Sequence, residues 1–217
     1  MASNKIQRCS SSQTKNFDVF VSFRGEDTRN GFTDHLFAAL QRKGVVAFRD
    51  DQTIEKGGFL ESELLQAIEG SRVFIVVFSK DYASSTWCMK ELTKILDLVE
   101  ETGRSMLPIF YDVDPSEVRK QSSEFAKAFA EHEERFKDDL EMVEKWREAL
   151  KASCDRCGWD VQNKQQYEEI ENVVEKVIDI LGRNQIWSFG DDLVDMHSRV
   201  EECIHESRRC FNGAGDA

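Results

Sequence analysis

Arg72-Val-Phe-Ile-Val-Val-Phe-Ser79 places six apolar residues in a row between a cation and a hydroxyl. A strand with one face in water alternates apolar and polar residues, so an unbroken run predicts a strand covered by helices on both sides, as in a parallel sheet. The flanking sequence repeats the theme. Phe17-Asp-Val-Phe-Val-Ser-Phe23 predicts a first strand, and Phe32, Leu36, Phe37 and Leu40 then recur at helical spacing until Gly44. Val45 to Phe48 predicts a second strand, followed by a charged loop from Asp50 to Gly58. Leu60, Leu64, Leu65 and Ile68 predict a helix ended by Gly70, which leads into the Val73 to Phe78 run.

Downstream, Ser84 and Ser85 offer N-caps for a helix carrying Leu92, Ile95, Leu96 and Val99 up to Gly103. Met106 to Tyr111 predicts a fourth strand, and Pro108, which lacks an N–H for the ladder, predicts an edge or strand-end position for it. Residues Asp112 to Glu141 are charged and irregularly helical in pattern; Trp146 and Leu150 mark another helix, broken at Gly158 before a short fifth strand, Trp159 to Val161. Ile170, Val173, Val174, Val177, Ile178 and Leu181 form the clearest amphipathic helix of the chain. Alternation of this kind predicts an α/β fold: an open five-stranded parallel sheet, helices on both faces, ligands taken at the carboxyl ends of the strands. Three loops lie there: Arg24 to Thr28, Asp50 to Gly58 and Ser79 to Glu91. Residues 1–15 read as a flexible polar segment, 16–182 as the domain and 183–217 as a loosely attached tail.

Composition removes several classes of function. With 29 basic and 41 acidic residues the net charge is −12, a field that repels phosphate backbones, so nucleic acid is a poor partner. The longest apolar run is six residues against about twenty for a spanning helix. No apolar segment follows Lys5, Arg8 and Lys15, so neither a membrane nor a secretory route is expected, and the location expected is cytoplasmic or nuclear. Cys154 and Cys157 form one CxxC without the second pair that a structural zinc site wants, so no metal is expected. There is no G-x-x-x-x-G-K-[ST], no G-x-G-x-x-G after the first strand and no G-x-S-x-G, which removes the phosphate cradles and the esterase elbow. Phe78-Ser79-Lys80 closes the third strand without the acidic residue of a phospho-receiver.

Two groups of residues remain. Ser22-Phe-Arg-Gly-Glu-Asp-Thr-Arg29 leaves the first strand with a cation, a glycine and two carboxylates; the same residues also suit a helix N-cap at Asp27 or Thr28 with Arg24 in solvent. Trp87-Cys-Met-Lys-Glu91 sets an aromatic ring and a carboxylate four apart near a helix start, a site pair or a core tryptophan with an acidic neighbour favoured by the helix dipole.

Four motifs in order, Phe17-Asp-Val-Phe-Val-Ser-Phe-Arg-Gly-Glu-Asp-Thr-Arg29, Ser85-Thr-Trp-Cys-Met-Lys-Glu-Leu92, Leu107-Pro-Ile-Phe-Tyr-Asp-Val-Asp-Pro-Ser116 and Cys157-Gly-Trp-Asp160, resemble a Toll/interleukin-1 receptor (TIR) domain of the plant immune-receptor type. The resemblance implies a flavodoxin-like fold and cleavage of the nicotinamide–ribose bond of NAD+ or NADP+, giving nicotinamide and ADP-ribose or cyclic and ribosylated signalling nucleotides. NAD+ or NADP+ is then substrate, and no cofactor is implied. Glu91 matches the catalytic glutamate of that family. Phe23, Arg24, Gly25, Ser79, Trp87 and Cys88 match its substrate-binding positions, with Lys56 and Gly57 on a loop that closes the site. Glu91 is expected at a loop-proximal helix start, outside the apolar positions of its helix.

The resemblance also implies homo-oligomerisation, with Asp34 and His35 on a first interface and Ser123 on a second. Asp34 stands where the family often has serine, and Ser123 where it usually has glycine. Full-length TIR receptors and downstream lipase-like signalling proteins are the implied protein partners. Asp192 to Glu201 resembles the opening of the nucleotide-binding domain of such receptors, so the chain reads as a truncated or TIR-only member. Two further readings stand beside the enzyme: a non-catalytic TIR adaptor, and a nucleic-acid-dependent cyclic-nucleotide synthase, which the net charge disfavours.

Overall fold

The computed structural model describes residues 16–49, 61–162 and 165–182. Its strands β1 (Phe17–Phe23), β2 (Ala47–Phe48), β3 (Ser71–Phe78), β4 (Ser105–Phe110) and β5 (Trp159–Asp160) form one parallel sheet in the order β2-β1-β3-β4-β5. The helices are α1 (Gly25–Thr28), α2 (Asp34–Arg42), α3 (Glu61–Glu69), α4 (Thr86–Thr102), α5 (Pro115–Lys120), α6 (Glu124–Arg135), α7 (Leu140–Cys154) and α8, residues 166–182. The chain divides into two compact units, Met1–Glu175 and Lys176–Ala217, and the sheet belongs to the first.

Both faces of the sheet are covered, as the apolar run of β3 requires. Phe74, Val76 and Phe78 join Phe20 of β1 and Leu64, Leu92, Phe125 and Trp146 of α3, α4, α6 and α7 in one core. The alternate residues Val73, Ile75 and Val77 are equally buried, on the opposite face. There Phe37 of α2 meets Phe23 at 6.0 Å, and Phe32 meets Tyr111 at 5.3 Å. The β1–β3 register aligns Ser22 with Val76 and Phe23 with Val77, so the two central strands end nearly level. That common edge is where the loops after β1 and β3 meet.

Local chemistry sets the element ends. Ser85 caps α4 by accepting from the Cys88 N–H at 3.3 Å, and Gly103 closes the helix with φ +69°. Gly44, at φ +75°, turns the chain after α2. The helix expected through Phe32 is regular only from Asp34, because residues Arg29–Thr33 form a π-type turn with non-helical backbone at Asn30 and Gly31.

The edge position expected for the Pro108 strand is corrected, since β4 pairs with β3 on one side and β5 on the other. The missing N–H is tolerated for a local reason. Phe110, two residues on and so facing the same way, offers its carbonyl to the Val161 N–H on the β5 side. Pro108 therefore faces β5, whose pairing covers only Ile109 and Phe110. Gly158 completes this corner: a Cβ there would lie 2.8 Å from the Pro108 carbonyl oxygen and 2.8 Å from the Phe110 ring. Its role is close approach rather than breaking a helix, since α7 already ends at Cys154.

Candidate active site

At the carboxyl edge β1 delivers Ser22, β3 runs into the 3-10 turn Tyr82–Ser84, and α4 begins at Thr86. Period-two alternation puts Ser22 on the Phe20 face, which α4 covers. There Ser22 Oγ donates to Glu91 Oε2 at 2.6 Å. Tyr82 Oη lies 2.8 Å from the same Ser22 Oγ and 3.2 Å from the Cys88 carbonyl oxygen, to which it donates. Glu91 is only 5% exposed and stands among the buried positions of α4, with Cys88, Met89, Leu92 and Ile95. The expectation that it lies outside the apolar positions is corrected. Being the sixth residue of α4 turns it inward onto β1. Trp87, one turn earlier, is 48% exposed, with the Lys90 ammonium 5.4 Å from its ring centre. Ring and carboxylate therefore share a stretch of helix at different depths.

Burial pushes the Tyr82 phenol well above its ordinary range, with Cys88 and Glu91 adding to the shift. It is therefore a proton donor at any physiological pH. The Cys88 thiol, also buried, reaches the Phe23 carbonyl at 3.7 Å and ties α4 to the end of β1. A turn away, Asp27 Oδ2 accepts from Ser79 Oγ and from the Asp81 N–H at 3.1 Å, joining the loops after β1 and β3. Neither Asp27 nor Thr28 caps a helix through its side chain, as the alternative reading had it; Arg24 is the residue before α1 and no side chain caps that end. Thr28 Oγ1 instead donates back to the Arg24 carbonyl at 3.2 Å. Arg24 pairs with Glu26 at 2.6 Å, and the Arg29 guanidinium lies over Gly25, where a Cβ would meet it at 2.5 Å.

The structure thus brings Phe23, Arg24, Gly25, Ser79, Cys88 and Glu91 to the end of β1 and β3, with Trp87 at the start of α4. Lys56 and Gly57 lie outside the described residues. Of the residues expected at interfaces, Asp34 is held by an ion pair with Arg49, and Arg49 itself lies 4.9 Å over the Phe37 ring. His35 is exposed on α2. Ser123 precedes α6 with φ +54° and its Oγ donates to Glu117 Oε1 at 2.8 Å. Burial pushes the Cys154 thiol up to about 12, while Cys157 is exposed. Among the described residues no group of three potential ligands could hold a metal, and no helix is long and apolar enough to cross a membrane.

Two residues of this arrangement, Ser22 and Tyr82, have no role among the sequence-based expectations. Ser22 carries a signal, being the one hydroxyl in a run of buried positions from Val19 to Phe23. Tyr82, alone in a polar turn, carries none.

A family model for the TIR domain matches residues 16–208. This chain belongs to the TIR family. The TIR domain is 43% identical to TMV resistance protein N of Nicotiana glutinosa, covering 89% of this chain and 17% of that protein. It is 42% identical to disease resistance protein RPV1 of Vitis rotundifolia, covering 94% and 15%. It therefore spans less than a fifth of the length of these curated relatives. Among solved structures it is similar to the TIR domains of the activated Roq1 resistosome that directly recognises the pathogen effector XopQ, at 46% identity and a TM-score of 0.69, over 75% of this chain and 99% of that one. The five-stranded parallel sheet flanked by helices is the TIR fold of that structure.

Proposed function

We propose that this TIR domain cleaves the nicotinamide–ribose bond of NAD+ or NADP+, with Glu91 as the catalytic carboxylate, in plant immune signalling. One observation carries the reading. Glu91 is a carboxyl group taken almost wholly out of water at the strand ends, gripped by Ser22 at 2.6 Å, where an apolar residue would cost the fold less. The residues offered are few, and the chemistry needs few. The ribosyl C–N bond breaks with its electron pair leaving on nicotinamide, which departs neutral from a cationic pyridinium, so no strong acid is required. The barrier lies in an oxocarbenium-like ribosyl centre, and a carboxylate beside it stabilises the positive charge more in the transition state than in the ground state. Water then adds to the ribosyl carbon and loses a proton to solvent, giving ADP-ribose; a hydroxyl of the same or another nucleotide in place of water gives cyclic or ribosylated products. Half-exposed Trp87 supplies a flat face for the ribose or nicotinamide, and Phe23, Arg24 and Gly25 meet the nucleotide and its phosphates.

The relatives are named as resistance proteins, and the solved relative comes from an activated resistosome, which motivates self-association of this chain as the condition for turnover. Incubation of the purified protein with NAD+ and with NADP+, followed by chromatography for free nicotinamide, tests the reading. Release is expected; its absence from folded protein at high concentration, alone or with a receptor TIR domain added, leaves the adaptor.

A further inference from the structure

We propose that Tyr82 is a positioning residue for Glu91, acting through Ser22 as a one-way hydroxyl relay from the turn after β3 to the carboxylate on α4. This rests on the reading of Glu91 as the catalytic carboxylate. The direction of the relay comes from a count of protons. In the 2.6 Å contact Ser22 Oγ donates to Glu91 Oε2, which consumes the only Ser22 hydroxyl proton. The 2.8 Å contact between Ser22 and Tyr82 must then be made by the Tyr82 proton, and the Cys88 carbonyl at 3.2 Å takes the longer branch of the same O–H. Tyr82 donates to Ser22, and Ser22 to Glu91.

The origin of the relay is held on several sides. Tyr82 is fully buried, its ring edge-on to Phe78 at 5.0 Å, and its N–H donates to the Ser79 carbonyl at 3.1 Å. The adjoining Ala83 carbonyl lies 2.7 Å from Nε2 of buried His132 on α6. Because a carbonyl only accepts, that ring nitrogen carries the proton. Burial keeps the phenol protonated. A rigid, always-protonated donor polarises Ser22 and strengthens its hydrogen bond to the carboxylate, which fixes the oxygen and favours the charged form. Among the described residues the titratable groups that act on Tyr82 are Cys88 and Glu91.

The test uses the full chain as Ser22→Ala, Tyr82→Phe, the double variant and Ser22→Thr, with kcat and KM for nicotinamide release from NAD+, and the Glu91 side-chain carboxyl followed by 13C NMR against pH. A hydrogen bond to a charged group contributes about 1.5–3 kcal/mol and a neutral one about 1, and each 1.4 kcal/mol is about tenfold. Ser22→Ala is therefore expected to lower kcat roughly tenfold to a hundredfold and Tyr82→Phe roughly two- to tenfold, with KM within about twofold. The double variant falls no further than Ser22→Ala, and Ser22→Thr restores most of the rate. Losses that multiply in the double variant, or a Tyr82→Phe enzyme that only melts earlier, overturn the relay. If the wild type releases no nicotinamide, the enzymatic reading fails by itself, and the carboxyl still decides the relay. It should titrate at higher pH in both single variants; an unmoved midpoint in Tyr82→Phe contradicts the proposal.

Discussion

Ser123 sits at φ +54° and ψ −123°, the first central position of a tight turn closed by the Phe125 N–H on the Ser122 carbonyl at 3.1 Å. That conformation suits glycine, and a residue with a Cβ is strained there by about 1–3 kcal/mol. Ser123→Gly relieves the strain, loses one exposed hydrogen bond and gains unfolded-chain entropy, so a net stabilisation of about 1 kcal/mol is expected in urea unfolding. A lower midpoint would show that the Ser123 hydroxyl matters more than its φ. Glu91 poses the opposite problem, a comfortable helix position with an uncomfortable environment. Its identity as a candidate was legible in Trp87-Cys-Met-Lys-Glu91, but its depth was not, because sequence spacing gives direction around a helix and not the distance to the strand beneath. Ser22 was legible only as a polar interruption of β1, and Tyr82 not at all, since no periodicity governs a residue in a turn.

The elements themselves were read from the sequence where pattern and packing agree. The apolar run of β3 is buried on both faces, and Ser85 and Gly103 bound α4. Pattern failed where the cause is a neighbour in space. Pro108 is read as an edge signal, yet β4 is interior in the sheet, and only the shortness of β5 reconciles the two. Gly158→Ala tests that corner: the new Cβ must displace the Pro108 carbonyl or the Phe110 ring, so a loss of about 1–3 kcal/mol is expected in urea, and an unchanged midpoint would mean the corner yields freely. At α5, Asp114 Oδ1 accepts from the Ser116 N–H at 2.7 Å with Pro115 in the first turn. Hydrogen bonding from the Ser116 side chain, and then from this N–H, holds the Asp114 carboxyl below its usual range. A depressed carboxylate contributes stability above its unfolded value and loses it as pH falls through the folded one. Asp114→Ala should therefore melt earlier than wild type at pH 7, with the gap narrowing below about pH 4, whereas a gap constant across that window would exclude the ionised cap.

For the molecule as a whole, topology is what assembles the site. Parallel strands end on one side, so β1 and β3, far apart in sequence, present Ser22 and the Tyr82 turn together to α4. Alternation of strands and helices was enough to read this architecture, because a right-handed parallel sheet leaves few other arrangements. The loop carrying Lys56 and Gly57 is charged and aperiodic in sequence, and its place lies outside the described residues. If self-association is the condition for turnover, specific activity rises with protein concentration toward a plateau, and a net charge of −12 makes the rise steeper when added salt screens the repulsion. A specific activity that is flat from dilute to concentrated protein contradicts the requirement for self-association. The central claim, however, is chemical. Nicotinamide release from NAD+ by Glu91→Gln, compared with wild type at matched concentration and with melting curves of both, addresses it most directly. Loss of an electrostatic stabiliser of this kind predicts a fall of about a hundredfold or more in kcat with the fold intact; a Glu91→Gln protein that turns over like wild type would contradict it.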